Sequence, residues 1–187
     1  ISCYRQHAFD CASMLLFNPT TKENGGIFCQ AQGWAILAES LMGHGSRAFR
    51  YFKESCPAAY NDRAEIREAE PYVHTQFIEG HETPQPGRAH VHWLTGTAST
   101  VMVGCVEGIL GLRPTPEGLL ISPAIPAEWA AFTLDKDFRG KHLHITVENP
   151  DHRESGVRRL YVNGEEVAPA ILMDDMLTDN TEIRAVM

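Results

Sequence analysis

A chain of 187 residues, 43% hydrophobic and 21% charged, can bury a real core and has room for one or two domains. Its formal net charge of -8 at pH 7 argues against a nucleic-acid backbone as the main partner, because such binders concentrate Lys and Arg. It holds no run of about 18 apolar residues, so no helical membrane span is expected. The opening residues, ISCYRQHAFD, show neither a signal-peptide core nor an initiating Met, and the expectation is a chain that starts inside a larger polypeptide.

From Tyr4 to Leu112 the pattern is helical. Tyr4 to Phe17 contains few breakers and predicts one helix, ended by NPTT. After KENGG, apolar residues recur at Ala31, Trp34, Ala35, Ala38, Leu41 and Met42, one stripe at a period of 3.6. GHG ends that helix, Ser46 is the expected N-cap of the next, and Pro57 stops it after Phe49, Phe52 and Cys56 have shared a face. Residues 58–90 show little periodicity and many functional groups, which is the habit of a long site-bearing loop. A third helix is expected over Trp93 to Leu110, closed by GLRP.

Beyond Pro114 the period changes to two. GLLISPAIP, FTLDKDF, KHLHITVEN, RRLYVNGEEV and the final EIRAV are short alternating runs, with Asn163-Gly164 suited to a two-residue hairpin. The predicted organisation is therefore α then β, with a helical part over 1–112 and an antiparallel β-sandwich-like domain over 113–187. Three helices and a long loop make a poor free-standing domain, so the first part reads as a slice of a larger helical array.

Several clusters carry chemistry. In WLTGTAST, Thr95 and Gly96 stand at a helix start, where a hydroxyl and free amides can hold a phosphate; the plainer reading is a cap with a packing glycine. In KENGG, Lys22 offers a point charge and Glu23 an acceptor for two sugar hydroxyls, or the two form a solvated pair on a turn. Gln76 can bond a sugar hydroxyl, while Glu65, Glu68 and Glu70 look more like a solvated face than a catalytic pair. The five cysteines (Cys3, Cys11, Cys29, Cys56 and Cys105) include no CxxC pair, and buried thiols in a reducing cytoplasm fit them best. The pairs His90/His92 and His142/His144 have no third ligand at metal spacing, so no metal is expected.

Four stretches, NPTTKENGGIF, EPYV-x-x-Q, WLTGTAS and GILGLRP…GL-x-I-x-P-x-IP-x-W, stand here in the order and approximate spacing of glycoside hydrolase family 94. The chain resembles the C-terminal portion of those cellobiose, cellodextrin, laminaribiose and chitobiose phosphorylases, most clearly from Phe17 to Asn149. The resemblance implies the last helices of an (α/α)6 barrel followed by the C-terminal β-domain of a large cytoplasmic enzyme. It implies inverting phosphorolysis: a β-glucosidic bond of a glucose disaccharide or oligosaccharide is cleaved by inorganic phosphate, giving α-glucose 1-phosphate. By motif, Lys22, Glu23 and Gln76 resemble substrate contacts, and Thr95 and Gly96 resemble the phosphate cradle. No organic cofactor is implied, phosphate being a co-substrate, and self-association as a homodimer is expected.

Two departures follow. Where the family commonly shows GGIFCH, this chain reads GGIFCQ, so Gln30 offers phosphate one neutral hydrogen bond in place of a cation. The family's general-acid Asp would lie upstream of Ile1; Asp10 and Asp62 are not in the matching motif, so this stretch alone is expected to be inactive. Two other readings stay open: a non-catalytic carbohydrate-binding or structural module, and a phosphate-independent transglycosylase of the glucan-synthase type.

Overall fold

The computed structural model describes residues 14–168 and 171–187. Most of the helix expected over 4–17 lies outside these residues, as do Cys3, Cys11 and Asp10; Met14–Leu16 form a 3-10 turn. By compactness the described residues gather into two units, one from residues 14–34 and 52–102, the other from residues 35–51 and 103–187. None of the described helices is long and apolar enough to cross a membrane.

The first unit is built on a three-stranded antiparallel sheet of β1 (Ile27–Phe28), β2 (Thr75–Ile78) and β3 (Ala89–His92), in that order. Strands thus stand inside the segment expected to be a loop. Four residues per strand give too short a run for a period of two to show in the sequence, although Thr75 and Phe77 are buried while Gln76 and Ile78 are half-buried. The helices α1 (Gln30–Leu41) and α4 (Thr97–Val103) begin beside this sheet. Between them in sequence come α2 (Gly45–Ser55) and the single turn α3 (Ala64–Arg67). The helix expected to reach Leu110 is α only to Val103; Gly104–Ile109 widen into a π turn, a departure common near functional sites.

The apolar stripe of α1 is the reverse of what its period suggests. Trp34, Leu41 and Met42 are more than half exposed, whereas Gly33, Ile36 and Ser40 are buried. The buried side uses small residues because backbone comes close: a β-carbon on Gly33 would lie 2.3 Å from the Thr100 carbonyl carbon. Ser46 is likewise not the N-cap of α2, which starts at Gly45; its N–H and hydroxyl instead donate to Glu154, at 3.1 and 2.8 Å.

The second unit holds two sheets. β10 (Ile171–Met173), β5 (Gly118–Ile121) and β4 (Leu112–Pro114) form an antiparallel set. The larger sheet has the order β6 (Ala131–Phe138), β7 (Lys141–Glu148), β11 (Asn180–Val186), β8 (Arg159–Val162), β9 (Glu165–Val167). The expected all-antiparallel arrangement needs correction here. β11 pairs antiparallel with β8 but parallel with β7, because the chain returns through β10 before its last strand enters mid-sheet. Alternation is clean on β7, where Leu143, Ile145 and Val147 are fully buried. Each such side chain contributes about 1.5–3 kcal/mol of burial. Asn163 and Gly164 have φ of 50° and 88°, the paired positive values of the tight hairpin joining β8 to β9.

Candidate functional site

The KENGG loop is anchored by its asparagine. Asn24 is 1% exposed, its amide donates to the Phe17 carbonyl at 2.9 Å, and its backbone exchanges bonds with Thr20 and Thr21. Gly26 donates to the Lys22 carbonyl at 2.9 Å, and a β-carbon there would sit 2.7 Å from the Lys22 backbone nitrogen. Only glycine lets the loop close this tightly. The closure holds Lys22 at a φ of 47° and turns its ammonium onto β2, where it donates to Gln76 Oε1 at 2.5 Å and lies 5.5 Å from the Phe77 ring centre. Glu23 is exposed at the same turn.

The second group grows from two helix starts. Gln30 is the first residue of α1, and its carboxamide lies against Gly96, within 2.9–3.1 Å of where a β-carbon would be. The Gln30 carbonyl accepts from Thr100 Oγ1 at 2.9 Å, which ties the two helix starts together. Thr95 Oγ1 accepts the Thr97 N–H at 3.1 Å and lies 2.8 Å from Thr97 Oγ1. Thr97 Oγ1 in turn donates to the Thr75 carbonyl at 3.0 Å. With that proton committed, the Thr95 hydroxyl donates to Thr97 at rest and can swing its one hydrogen to an incoming oxyanion.

Bonds through β2 join the two groups. Cys29 N–H donates to the Gln76 carbonyl at 2.9 Å, which seats Gln30 one residue from the strand that carries Gln76. Thr75, next to Gln76, holds Thr97 and so the Thr95-Gly96 turn. Lys22, Gln76, Gln30, Thr95 and Gly96 thus belong to one bonded neighbourhood within a single compact unit, with Glu23 beside Lys22 at its edge. The arrangement offers one ammonium, two carboxamides, a carboxylate, a hydroxyl and helix-start amides, which is chemistry for a polyol beside an anion.

Residues outside those six support the neighbourhood. Arg67 donates to the carbonyls of Ala69, Glu70 and Val73, pinning the turn that leads into β2. Burial lowers its pKa. A cavity of about 480 Å³ lies on this unit, lined among others by Cys29, Arg67, His74, Thr75 and Ile78 and by none of the six predicted residues. Burial pushes the Cys29 thiol up and holds His74 down, so both are neutral near pH 7. Among the described residues no group of His, Cys, Asp and Glu has the form of a metal site.

Comparison with known proteins settles the family. Residues 2–111 match the model of the glycosyl hydrolase 94 superfamily, catalytic domain. The chain belongs to that superfamily. It is 39% identical to an N,N'-diacetylchitobiose phosphorylase of Vibrio proteolyticus over 85% of this chain and 20% of that protein. A phosphorylase of the same name from Vibrio furnissii is 41% identical over 78% of this chain and 18% of its own length. A cyclic β-(1,2)-glucan synthase of Rhizobium meliloti is 34% identical over 70% of this chain and 5% of its length. The chain therefore spans about a fifth of the phosphorylases it matches. The family match stops at residue 111, one residue before β4 begins.

Proposed function

We propose that this glycosyl hydrolase 94 chain supplies the substrate and phosphate wall of an inverting glycoside phosphorylase. Lys22, Glu23 and Gln76 hold the sugar, while Thr95, Gly96 and Gln30 hold inorganic phosphate. The observation that carries the reading is the union of the Lys22–Gln76 contact with the Gln30–Gly96 contact in one compact unit. In this reading residues 1–112 end an (α/α)6 catalytic barrel and residues 113–187 form the C-terminal β-domain. The exposed Trp34, Leu41 and Met42 stripe of α1 supports it, since a barrel helix needs a second covered face.

The reaction places phosphate where an inverting hydrolase places water, with a carboxylic acid on an upstream segment protonating the leaving oxygen. Lys22 fixes the Gln76 carboxamide by its bond to Oε1, leaving the amide protons to donate to a hydroxyl of the cleaved sugar. Glu23, exposed at the turn, accepts from the leaving sugar. Thr95 Oγ1 and the amides at the start of α4 receive the phosphate oxygens, and Gln30 adds one neutral donor. The bond cleaved is β-linked, in a glucose disaccharide or oligosaccharide; N,N'-diacetylchitobiose, named in two relatives, is the second substrate to assay. A cytoplasmic homodimer is the expected setting.

The full-length protein is expected to release sugar 1-phosphate from such a disaccharide only when phosphate is supplied. Equal sugar release without phosphate would point to hydrolysis instead. A second reading, phosphate-independent transglycosylation, draws on Gln30, which cannot become a cation, and on the likeness to a glucan synthase. It predicts longer glycans from the same assay in phosphate-free buffer.

A further inference from the structure

Immediately before the Thr95-Gly96 turn the backbone is strained. Val91 and Trp93 have φ of 56° and 67°, values that a β-branched and a bulky residue rarely take. The strain puts the Trp93 ring outward at 70% exposure, edge-on to Tyr72, which is equally exposed, with ring centres 6.1 Å apart. The Trp93 indole N–H donates to Glu70 Oε1 at 3.1 Å. The Glu70 side chain is 42% exposed, yet its other carboxylate oxygen, Oε2, is covered and has no hydrogen-bond partner among the described residues; the His92 imidazole Nδ1 lies 3.8 Å from it. Its own backbone N–H and the Trp93 indole hold the Glu70 carboxyl low, so it is ionised at neutral pH.

From this geometry we infer that Trp93, Tyr72 and Glu70 form a further sugar-binding subsite, in which a pyranose ring stacks on Trp93 and a sugar hydroxyl donates a hydrogen bond to the half-exposed Glu70 carboxylate. The two halves of the feature call for the two halves of a sugar. A pyranose has a C–H face that suits an indole and hydroxyls that suit a carboxylate. A purely apolar covering segment would satisfy the rings but offer no donor to Glu70 Oε2, which has none among the described residues. The chain distance is short, since Trp93 precedes Thr95 by two residues, so the subsite lies beside the proposed phosphate end. The inference rests on the sugar reading of that neighbourhood and adds to it a specificity-determining contact.

The test uses the full-length protein and its Trp93→Phe, Trp93→Ala and Glu70→Gln variants, with cellobiose, N,N'-diacetylchitobiose and inorganic phosphate as probes. The emission difference between wild type and Trp93→Phe isolates the Trp93 signal. A disaccharide that is turned over is expected to change this signal, whereas phosphate alone is not. Trp93→Ala is expected to raise the KM for the disaccharide roughly ten-fold, with Trp93→Phe recovering most of the loss and the phosphate KM within about two-fold of wild type. Glu70→Gln, which keeps its shape and should fold, is expected to raise the sugar KM alone. A Trp93 signal indifferent to sugar, or Trp93→Phe and Glu70→Gln proteins with wild-type sugar KM, overturns the subsite while phosphorolysis stands. A sugar-responsive Trp93 in a protein that makes no sugar 1-phosphate overturns the proposed reaction and leaves the subsite.

Discussion

Gln30→His is the substitution whose effect the structure best specifies. The Gln30 carboxamide already lies against Gly96, so an imidazole at the same position of α1 would face the proposed phosphate. A neutral hydrogen bond contributes about 0.5–1.5 kcal/mol and one to a charged group about 1.5–3 kcal/mol. The difference, about 1–1.5 kcal/mol, corresponds to a gain of roughly five- to ten-fold in phosphate affinity. The gain requires the imidazolium. Bound phosphate raises the histidine pKa, so the gain is complete below the ordinary value of about 6.5 and fades as pH rises through the raised value. The assay is the phosphate KM of the full-length protein, taken as the ratio of wild type to variant at pH 6 and pH 8 so that the ionisation of phosphate itself cancels. A five- to ten-fold ratio at pH 6 that shrinks at pH 8 is expected. An unchanged KM, or a ratio indifferent to pH, would refute the position of Gln30 beside the anion.

Other outcomes follow from single contacts. Lys22→Met removes the ammonium that orients Gln76; the sugar KM is expected to rise about ten-fold or more, with the phosphate KM nearly constant. A variant that weakens both equally would assign Lys22 a structural role. Gly33→Ala forces a methyl to 2.3 Å from the Thr100 backbone, which must shift. Overpacking of this kind costs about 1–3 kcal/mol, so Tm should fall by about 2–12 °C in calorimetry, and an unchanged Tm would contradict the close approach. His144 and Asp135 lie 2.7 Å apart on β7 and β6, and their hydrogen bond raises the histidine and lowers the acid. The Asp135 share of stability is present above the ordinary carboxyl pKa and lost as pH falls through the lowered value. The His144 share is present below about 6.5 and lost as pH rises through the raised value. Proton NMR should give His144 a midpoint above 6.5 that moves down in Asp135→Asn, and a midpoint indifferent to that change would remove the pair.

The β-half was legible because period two survives over eight residues: the runs at 131–138 and 141–148 became β6 and β7, and Asn163-Gly164 became their sheet's hairpin. The strand that enters mid-sheet in parallel with β7 was not, since pairing partners depend on chain return and not on local pattern. In the helical half, the stripe on α1 was visible but its direction was not. Periodicity reports which residues share a face, whereas contact is decided by where small residues such as Gly33 and Ser40 admit another backbone. Lys22, Gln76, Thr95 and Gly96 could be named from motifs, yet their union depends on β2 and β3, which are four residues each and lay hidden in a polar segment. The role of Asn24 as the anchor of its loop had a signal in the sequence, an Asn-Gly-Gly turn, that Lys22 and Glu23 overshadowed.

A crystal structure of the full-length protein with inorganic phosphate and the disaccharide it turns over tests most directly whether sugar and oxyanion share this wall. Phosphate oxygens are expected within about 3 Å of Thr95 Oγ1 and the Gly96 N–H, with sugar hydroxyls on Gln76 and Glu23. Ligands lodged instead in the cavity beside Cys29, Arg67 and His74, leaving Thr95 and Lys22 untouched, would contradict the account.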